Sequence, residues 1–262
     1  MDLVFKSKKP AFIKNFLKEH AIPLKLIAIE KNKFMIRVGK ELKTKEDTIK
    51  KGDTLSITIQ NEEIDEKIVP ESHPLEILFE DEYLLIVNKP ANTPMMISKT
   101  IQSNTLANWI AAYYQQIGFI GRIHYQNRVD KEVSGVVVVW KHRFIKYLMN
   151  QESQTPFRHE YQAILQGVLD QSVGCIDLPI KKSEDELAIR EVSVEGEECQ
   201  TEFRVIQKYL SHTHVKITNE TGKTHQIRVH FAYFFAPIVG DLIYNKLAKK
   251  GEIGRASCRE RV

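Results

Sequence analysis

Four valines and a tryptophan stand in a row at Val136–Trp140, directly after Arg128-Val129-Asp130-Lys131-Glu132-Val133-Ser134-Gly135. An apolar run this short and this rich in β-branched side chains reads as a buried central strand. Ser134-Gly135 supplies a bend at its mouth. A buried strand restricts what can lie beside it, and a charge there cannot enter the interior uncompensated. Asp130 therefore either caps a turn or does chemistry, and its immediate neighbours leave both readings open.

The remaining segments give the strand its setting. Ile13, Phe16 and Leu17, then Leu24 and Ile27, are spaced for one or two short helices split by Pro23. Lys50-Lys51-Gly52-Asp53 signals a turn into Thr54–Ile59, which alternates like a half-buried strand. Residues 61–74 are polar and acidic, with Pro70 and Pro74, and read as a linker. Beyond it, 75–79, 84–87, 160–165, 201–209 and 214–218 read as strands. Ser103-Asn104 is placed to cap a helix with Leu106, Trp109, Ile110 and Tyr113 on one face. A short helix is expected over 142–150. Thr224 is placed to cap another, with Ile227, Phe231 and Phe234 pointing inward. Strands and helices mix without a βαβ rhythm, so the fold class is α+β.

Charge is distributed unevenly. Residues 1–60 hold 14 Lys/Arg against 7 Asp/Glu, although the whole chain has a net charge of only +4. A basic N-terminal quarter suits a polyanion such as RNA, and equally a solvated lysine-rich surface. No stretch approaches the ~20 apolar residues of a membrane helix. Met1–Pro10 has no apolar core, so no signal peptide is expected. Cys175, Cys199 and Cys258 match no metal or redox spacing, and a reducing cytoplasm is the expected compartment.

One familiar chemistry is rejected and two others find only weak support. Gly222-Lys223-Thr224 invites a phosphate-loop reading, but the glycine required five positions before Gly222 is Ile217. An anion such as a sugar-phosphate still suits a helix start there. His212, His214, His225 and His230 lack the converging partners of a zinc site. Ser134 lacks the Gly-x-Ser-x-Gly elbow, because Glu132 occupies the first glycine position. Tyr161 is either strand packing or a face for a base, and Arg228, three residues after His225, is by itself a solvated arginine.

Taken together the segments resemble the RluA-like family of pseudouridine synthases, over roughly residues 75–245. Asn88-Lys89-Pro90-Ala91 resembles the family's NKPAG segment, and Arg128-Val129-Asp130 with Ser134-Gly135 its RLD…SG motif. Glu160–Gly167 resembles the tyrosine strand, and Thr221–His230 is similar to TGRTHQIRVH almost throughout. Pro237–Asp241 with Tyr244 resembles PIVGD-x-x-Y. Residues 1–60 resemble, more weakly, a small S4-like α/β RNA-binding domain.

The resemblance implies an RNA pseudouridine synthase acting on rRNA or tRNA, with no cofactor and no metal. Its catalytic core, residues 75–250, is expected to be a mixed, largely antiparallel sheet. It implies Asp130 as nucleophile, Tyr161 as the active-site aromatic and Arg228 as the ion partner of Asp130. Arg128 is expected to fill the space of the flipped base. Lys89, Lys131, Lys223, His225 and Gln226 are expected RNA contacts, and a monomer is expected. The alternative is a non-catalytic RNA-binding relative. Departures are Asn127, where the family has histidine, and Val133, where it has threonine. Residues 251–262 replace the family's final strand and read as a vector-derived tail, leaving the core a strand short.

Overall fold

The computed structural model describes residues 2–20, 22, 24, 34–60, 62, 64–152, 158–184, 189–219, 221–247 and 257–260. The N-terminal unit holds β1 (Asp2–Lys6), β2 (Ala11–Phe12), α1 (Ile13–Glu19), β3 (Phe34–Val38), β4 (Glu41–Lys43), β5 (Thr48–Ile49) and β6 (Thr54–Ile59). Its four-stranded sheet runs β1-β6-β3-β4, antiparallel at every pairing. The alternation read over 54–59 is real: Leu55, Ile57 and Ile59 face the core with Ile13, Phe16 and Leu17 of α1. The second expected helix, near Leu24 and Ile27, lies largely outside the described residues.

The second unit comprises β7 (Glu76–Glu80), β8 (Leu84–Lys89), α2 (Leu106–Gln116), β9 (His124–Tyr125), β10 (Ser134–Trp140), α3 (Arg143–Glu152), β11 (His159–Gln166), β12 (Val173–Asp177), β13 (Ile180–Lys182), β14 (Arg190–Val192), β15 (Gln200–Lys208), β16 (His212–Asn219), α4 (Gln226–Tyr233) and β17 (Ser257–Glu260). Nine strands form one sheet in the order β12-β15-β16-β11-β17-β10-β8-β7, with β9 pairing β10 off this path. All its pairings are antiparallel except β10 with β17. The mixed, largely antiparallel α+β fold is as expected. The valine run is its central strand, with Val137–Trp140 buried.

Three sequence expectations need correction. Thr105, not Ser103-Asn104, caps α2: its hydroxyl accepts from the Asn108 amide and the Asn108 side chain answers its backbone N–H. Thr224 does not cap α4; His225 occupies that place in a left-handed conformation, φ 59°, without a side-chain cap bond. Phe234 does not point inward. The helix ends at Tyr233, and Phe234, as its C-cap, leaves the helical path and is 53% exposed.

The expectation of a missing strand also differs from the structure. β17 lies within the presumed tail and inserts between β10 and β11, parallel to the first and antiparallel to the second. Backbone pairing is indifferent to side-chain identity, so two facing strand edges accept an extended segment of adequate length. Residues 251–256 and 261–262 lie outside the described residues.

Three described residues of the expected linker pack on the second unit. Glu62 pairs with His124 at 2.7 Å, Ile68 packs on Ala107 and Ala111, and His73 stacks on Trp109 at 3.6 Å. The amphipathic α3 adds Phe144 to the N-terminal core, with its ring 5.6 Å from Phe34. Truncating a buried phenylalanine costs about 3–5 kcal/mol. Phe144→Ala is therefore expected to uncouple the two units, so that calorimetric unfolding separates into two transitions. A single transition at the wild-type midpoint would contradict this coupling.

Candidate active site

Asp130 sits in the turn that feeds β10. Two side chains hold that turn in place. Asn127 is buried and behaves as a short strand partner, donating to the Val136 carbonyl at 2.9 Å and accepting from the Val138 amide at 2.9 Å. Lys89, at the end of β8, is fully buried and donates to the carbonyls of Pro90 (2.9 Å), Thr93 (2.9 Å) and Lys131 (3.1 Å). Three ammonium protons meet three carbonyls, one of them in the residue after Asp130. The Asp130 carbonyl then closes the turn by accepting from the Val133 amide at 3.1 Å. Gly135 follows at φ 123°, a backbone state that side chains disfavour, which explains the Ser-Gly pair at the bend.

Burial pulls the Lys89 ammonium down to about 8, although the charges of Glu132 and Asp130 act in the opposite direction. The folded value lies below the unfolded one. The cost of burying the charge is thus fully present below pH 8 and fades as pH rises toward 10.5. Relative to Lys89→Met, which has no charge to bury, wild-type stability is expected to rise by about 3 kcal/mol across that window. Denaturant titrations at several pH values measure it, and a pH-independent difference between the two proteins would refute it.

Asp130 meets Arg228 from α4. Arg228 Nη1 donates to Asp130 Oδ2 at 2.8 Å, as the resemblance implied. The other edge of the guanidinium is clamped by Asp241, with Nε to Oδ2 at 2.7 Å and Nη2 to Oδ1 at 2.9 Å. One arginine therefore links two carboxylates of different exposure: the Asp241 side chain is 4% exposed and that of Asp130 29%. Burial opposes ionisation of both Arg228 and Asp241, and the fork overcomes it. Arg228 is held above its ordinary pKa by Asp241 and Asp130. Asp241 is held below its own by Arg228 and by the amides of Tyr244 and Ile243. The guanidinium also lies 5.0 Å from the centre of the Tyr244 ring.

His225 completes the cluster. Its Nε2 is 3.7 Å from Asp130, and its Nδ1 is 2.8 Å from the Tyr244 hydroxyl, which in turn accepts from the Arg190 amide at 2.8 Å. Burial keeps the imidazole below its usual pKa, with the Asp130 charge acting against that shift and Arg228 adding to it. A neutral ring carries its proton on Nε2, because a lone pair there would face the carboxylate. The Tyr244 hydroxyl then donates to Nδ1.

The expected RNA contacts other than His225 divide into two groups. Arg128 and Lys131 are exposed beside Asp130, and Lys223 lies on the approach loop paired with Glu197. Lys89 and Gln226 are inside and need correction. Gln226 is buried: its oxygen accepts from the Thr221 hydroxyl (3.0 Å) and the Lys223 amide (3.1 Å), and its nitrogen donates to Gln200 and Thr201. A buried amide must satisfy itself internally, so Gln226 braces the loop that carries Lys223. Tyr161 lies on β11 opposite Ile217 and is half-buried. Both Tyr161 and Val133 pack against the two large core clusters of this unit, at the seam between them. Sequence reasoning missed the roles of Asp241 and Tyr244. Their motif was visible, but nothing local marked either side chain as a partner of Arg228 or His225.

The cluster can present one partly exposed carboxylate, fixed from behind by a buried cation that is itself clamped. Such a carboxylate is preorganised, and exposed cations stand beside it. Among the described residues, no group of His, Cys, Asp and Glu could hold a metal ion. No helix among them is long and apolar enough to cross a membrane.

Comparison with known proteins gives the family. Residues 83–233 match the family described as RNA pseudouridylate synthase. The chain is 33% identical to the uncharacterized RNA pseudouridine synthase YjbO of Bacillus subtilis over 221 residues, covering 84% of this chain and 77% of that protein. It is 31% identical to ribosomal large subunit pseudouridine synthase D of Escherichia coli over 198 residues, covering 74% of this chain and 59% of that one. Human RNA pseudouridylate synthase domain containing 1 shares the fold, with a TM-score of 0.57 at 21% identity, over 73% of this chain and 84% of that one.

Proposed function

The chain belongs to the RNA pseudouridylate synthase family, and from that premise we propose that it isomerises uridine in structured ribosomal or transfer RNA with Asp130 as the nucleophile. The observation that carries the assignment is the Asp130–Arg228–Asp241 fork. It holds the more exposed carboxylate on a buried cation and leaves one of its edges toward solvent.

The reaction conserves every atom of the nucleoside except for an exchange of protons. The bond from uracil N1 to the ribose C1′ breaks, a bond from C5 to C1′ forms, C5 loses its proton and N1 gains one. The target base is inaccessible while stacked, so it must be turned out into a pocket at a cost of roughly a few kcal/mol. Arg128, exposed two residues before Asp130, fills the space it leaves. Tyr161 offers the ring face against the uracil. Arg228 holds Asp130 and takes no proton, since its own pKa is raised. Lys131 and Lys223 bind the phosphate backbone, and Lys89 acts through the turn it ties. Residues 1–60 serve as the basic, S4-like RNA-binding domain, with residues 61–74 linking it to the catalytic domain at 75–250. The free thiols of Cys175 and Cys199 suit the cytoplasm.

Tritium release from RNA labelled at uracil C5 tests this reading. Release from a ribosomal or transfer RNA pool lacking the modification is the expected result. No release from either pool by a folded protein would overturn it.

A further inference from the structure

We propose that His225 is a positioning residue for Asp130: together with Arg228 it pins one carboxylate oxygen and leaves the other to attack. The inference rests on Asp130 being the nucleophile of the isomerisation. Arg228 Nη1 donates to Asp130 Oδ2 at 2.8 Å, and His225 Nε2 faces the same oxygen at 3.7 Å. Among the described residues, no group hydrogen-bonds Asp130 Oδ1.

One donor does not aim a carboxylate. The last torsion of an aspartate is broad and roughly two-fold, so a group held at one oxygen can still turn. Asp241 takes two nitrogens of Arg228, and the arginine reaches Asp130 with the third. A second donor on Oδ2 removes the remaining freedom and fixes which oxygen is free.

The way His225 is held fits that task. It stands directly before α4, where a serine, threonine or aspartate would cap the helix. It makes no side-chain cap bond and sits at φ 59°, in the left-handed region. Its carbonyl still starts the helix, accepting from the Val229 amide at 2.9 Å. Its ring belongs to the site instead. Nδ1 accepts from the Tyr244 hydroxyl at 2.8 Å, and the Tyr244 ring stands edge-on with centres 5.5 Å apart. With Nδ1 occupied as an acceptor, the neutral ring carries its proton on Nε2, toward Asp130. The side chain is 15% exposed and both nitrogens face protein groups, which favours positioning over the direct RNA contact expected from the motif. At 3.7 Å the contact is longer than a hydrogen bond, and a shift of about 1 Å would close it. Active-site contacts commonly tighten in this way when substrate binds.

Two variants test the role. His225→Asn tolerates the left-handed turn and keeps an oxygen for the Tyr244 hydroxyl, but is too short to reach Asp130. His225→Gln carries an amide N–H as many bonds from Cβ as Nε2 is. In single-turnover tritium release, His225→Asn is expected to lose about 100-fold in rate, the scale of a reacting group misplaced by an ångström. Its melting temperature and RNA affinity should hold, and His225→Gln should recover most of the rate. Proton–nitrogen NMR of labelled protein without RNA reads the contact itself. The imidazole proton should lie on Nε2. Burial keeps the ring from protonating and the Asp130 charge opposes that, so the ring should titrate at lower pH in Asp130→Asn than in wild type. Arg228, Asp241, Arg190 and Tyr244 face it in both proteins.

An unchanged rate for His225→Asn would overturn the proposal. So would a loss carried by RNA affinity with the rate intact, which would make His225 a direct RNA contact. A loss that His225→Gln leaves in full would place the cost in ring packing and overturn it too, as would a proton on Nδ1 or a titration indifferent to Asp130→Asn. Wild type inactive on both RNA pools would overturn the isomerase reading, and the NMR titration would still decide whether His225 holds Asp130.

Discussion

Asp130→Asn is expected to lower tritium release from C5-labelled RNA by roughly 10⁴-fold or more, the scale on which loss of a nucleophile acts, while the protein stays folded. The amide has the shape of the carboxylate, and its oxygen can still accept from Arg228 Nη1. Arg228 keeps both of its bonds to Asp241, so no buried charge is stranded. Asp130 is also partly exposed, so the change in stability should be within about 1 kcal/mol, as for a solvated ion pair. The chemistry, by contrast, has no substitute: an amide oxygen is a poor nucleophile. The paired measurements are thermal unfolding and single-turnover tritium release. Substantial release by a well-folded Asp130→Asn would remove the nucleophile assignment.

Arg228→Met should have the opposite signature, a large structural effect accompanied by loss of activity. It leaves Asp241 in the interior, 4% exposed, with the amides of Ile243 and Tyr244 as its remaining hydrogen-bond donors among the described residues. Removing one partner of a buried pair costs about 3–5 kcal/mol, because the remaining charge is uncompensated. The double variant Arg228→Met with Asp241→Asn tests that cause, since neutralising the stranded carboxylate should recover most of the stability. Activity should not return with it, because Asp130 would still lack its cation. A single variant with wild-type stability would show that the fork is not buried as described. A double variant no better than the single would place the cost in packing instead of charge.

Lys89 and Gln226 show how a motif residue can be recognised while its task is misread. Both stood in segments expected to touch RNA, and both are inside, with polar atoms satisfied by carbonyls, amides and hydroxyls. Their position in a motif says that they matter. Whether a polar side chain faces solvent or its own backbone depends on which loops come together around it. Phe234 was misread for a related reason. Its spacing continues the helical stripe of Ile227 and Phe231, but the helix stops one residue earlier and the stripe ends with it.

What the sequence determined by itself is what short windows encode. The valine run marks the central strand, the alternation at 54–59 marks a half-buried one, and the ordered motifs around Asp130, Tyr161 and Arg228 mark the family. What only the tertiary structure decided is which charges answer each other. Asp130 and Arg228 come together from the mouth of β10 and the first turn of α4, and Asp241 arrives from the loop that follows. Periodicity reaches about four residues, whereas an ion pair depends on through-space distance and on the water excluded around it. Both are set when α4 packs against the sheet, so the second carboxylate of Arg228 could be seen only in the fold.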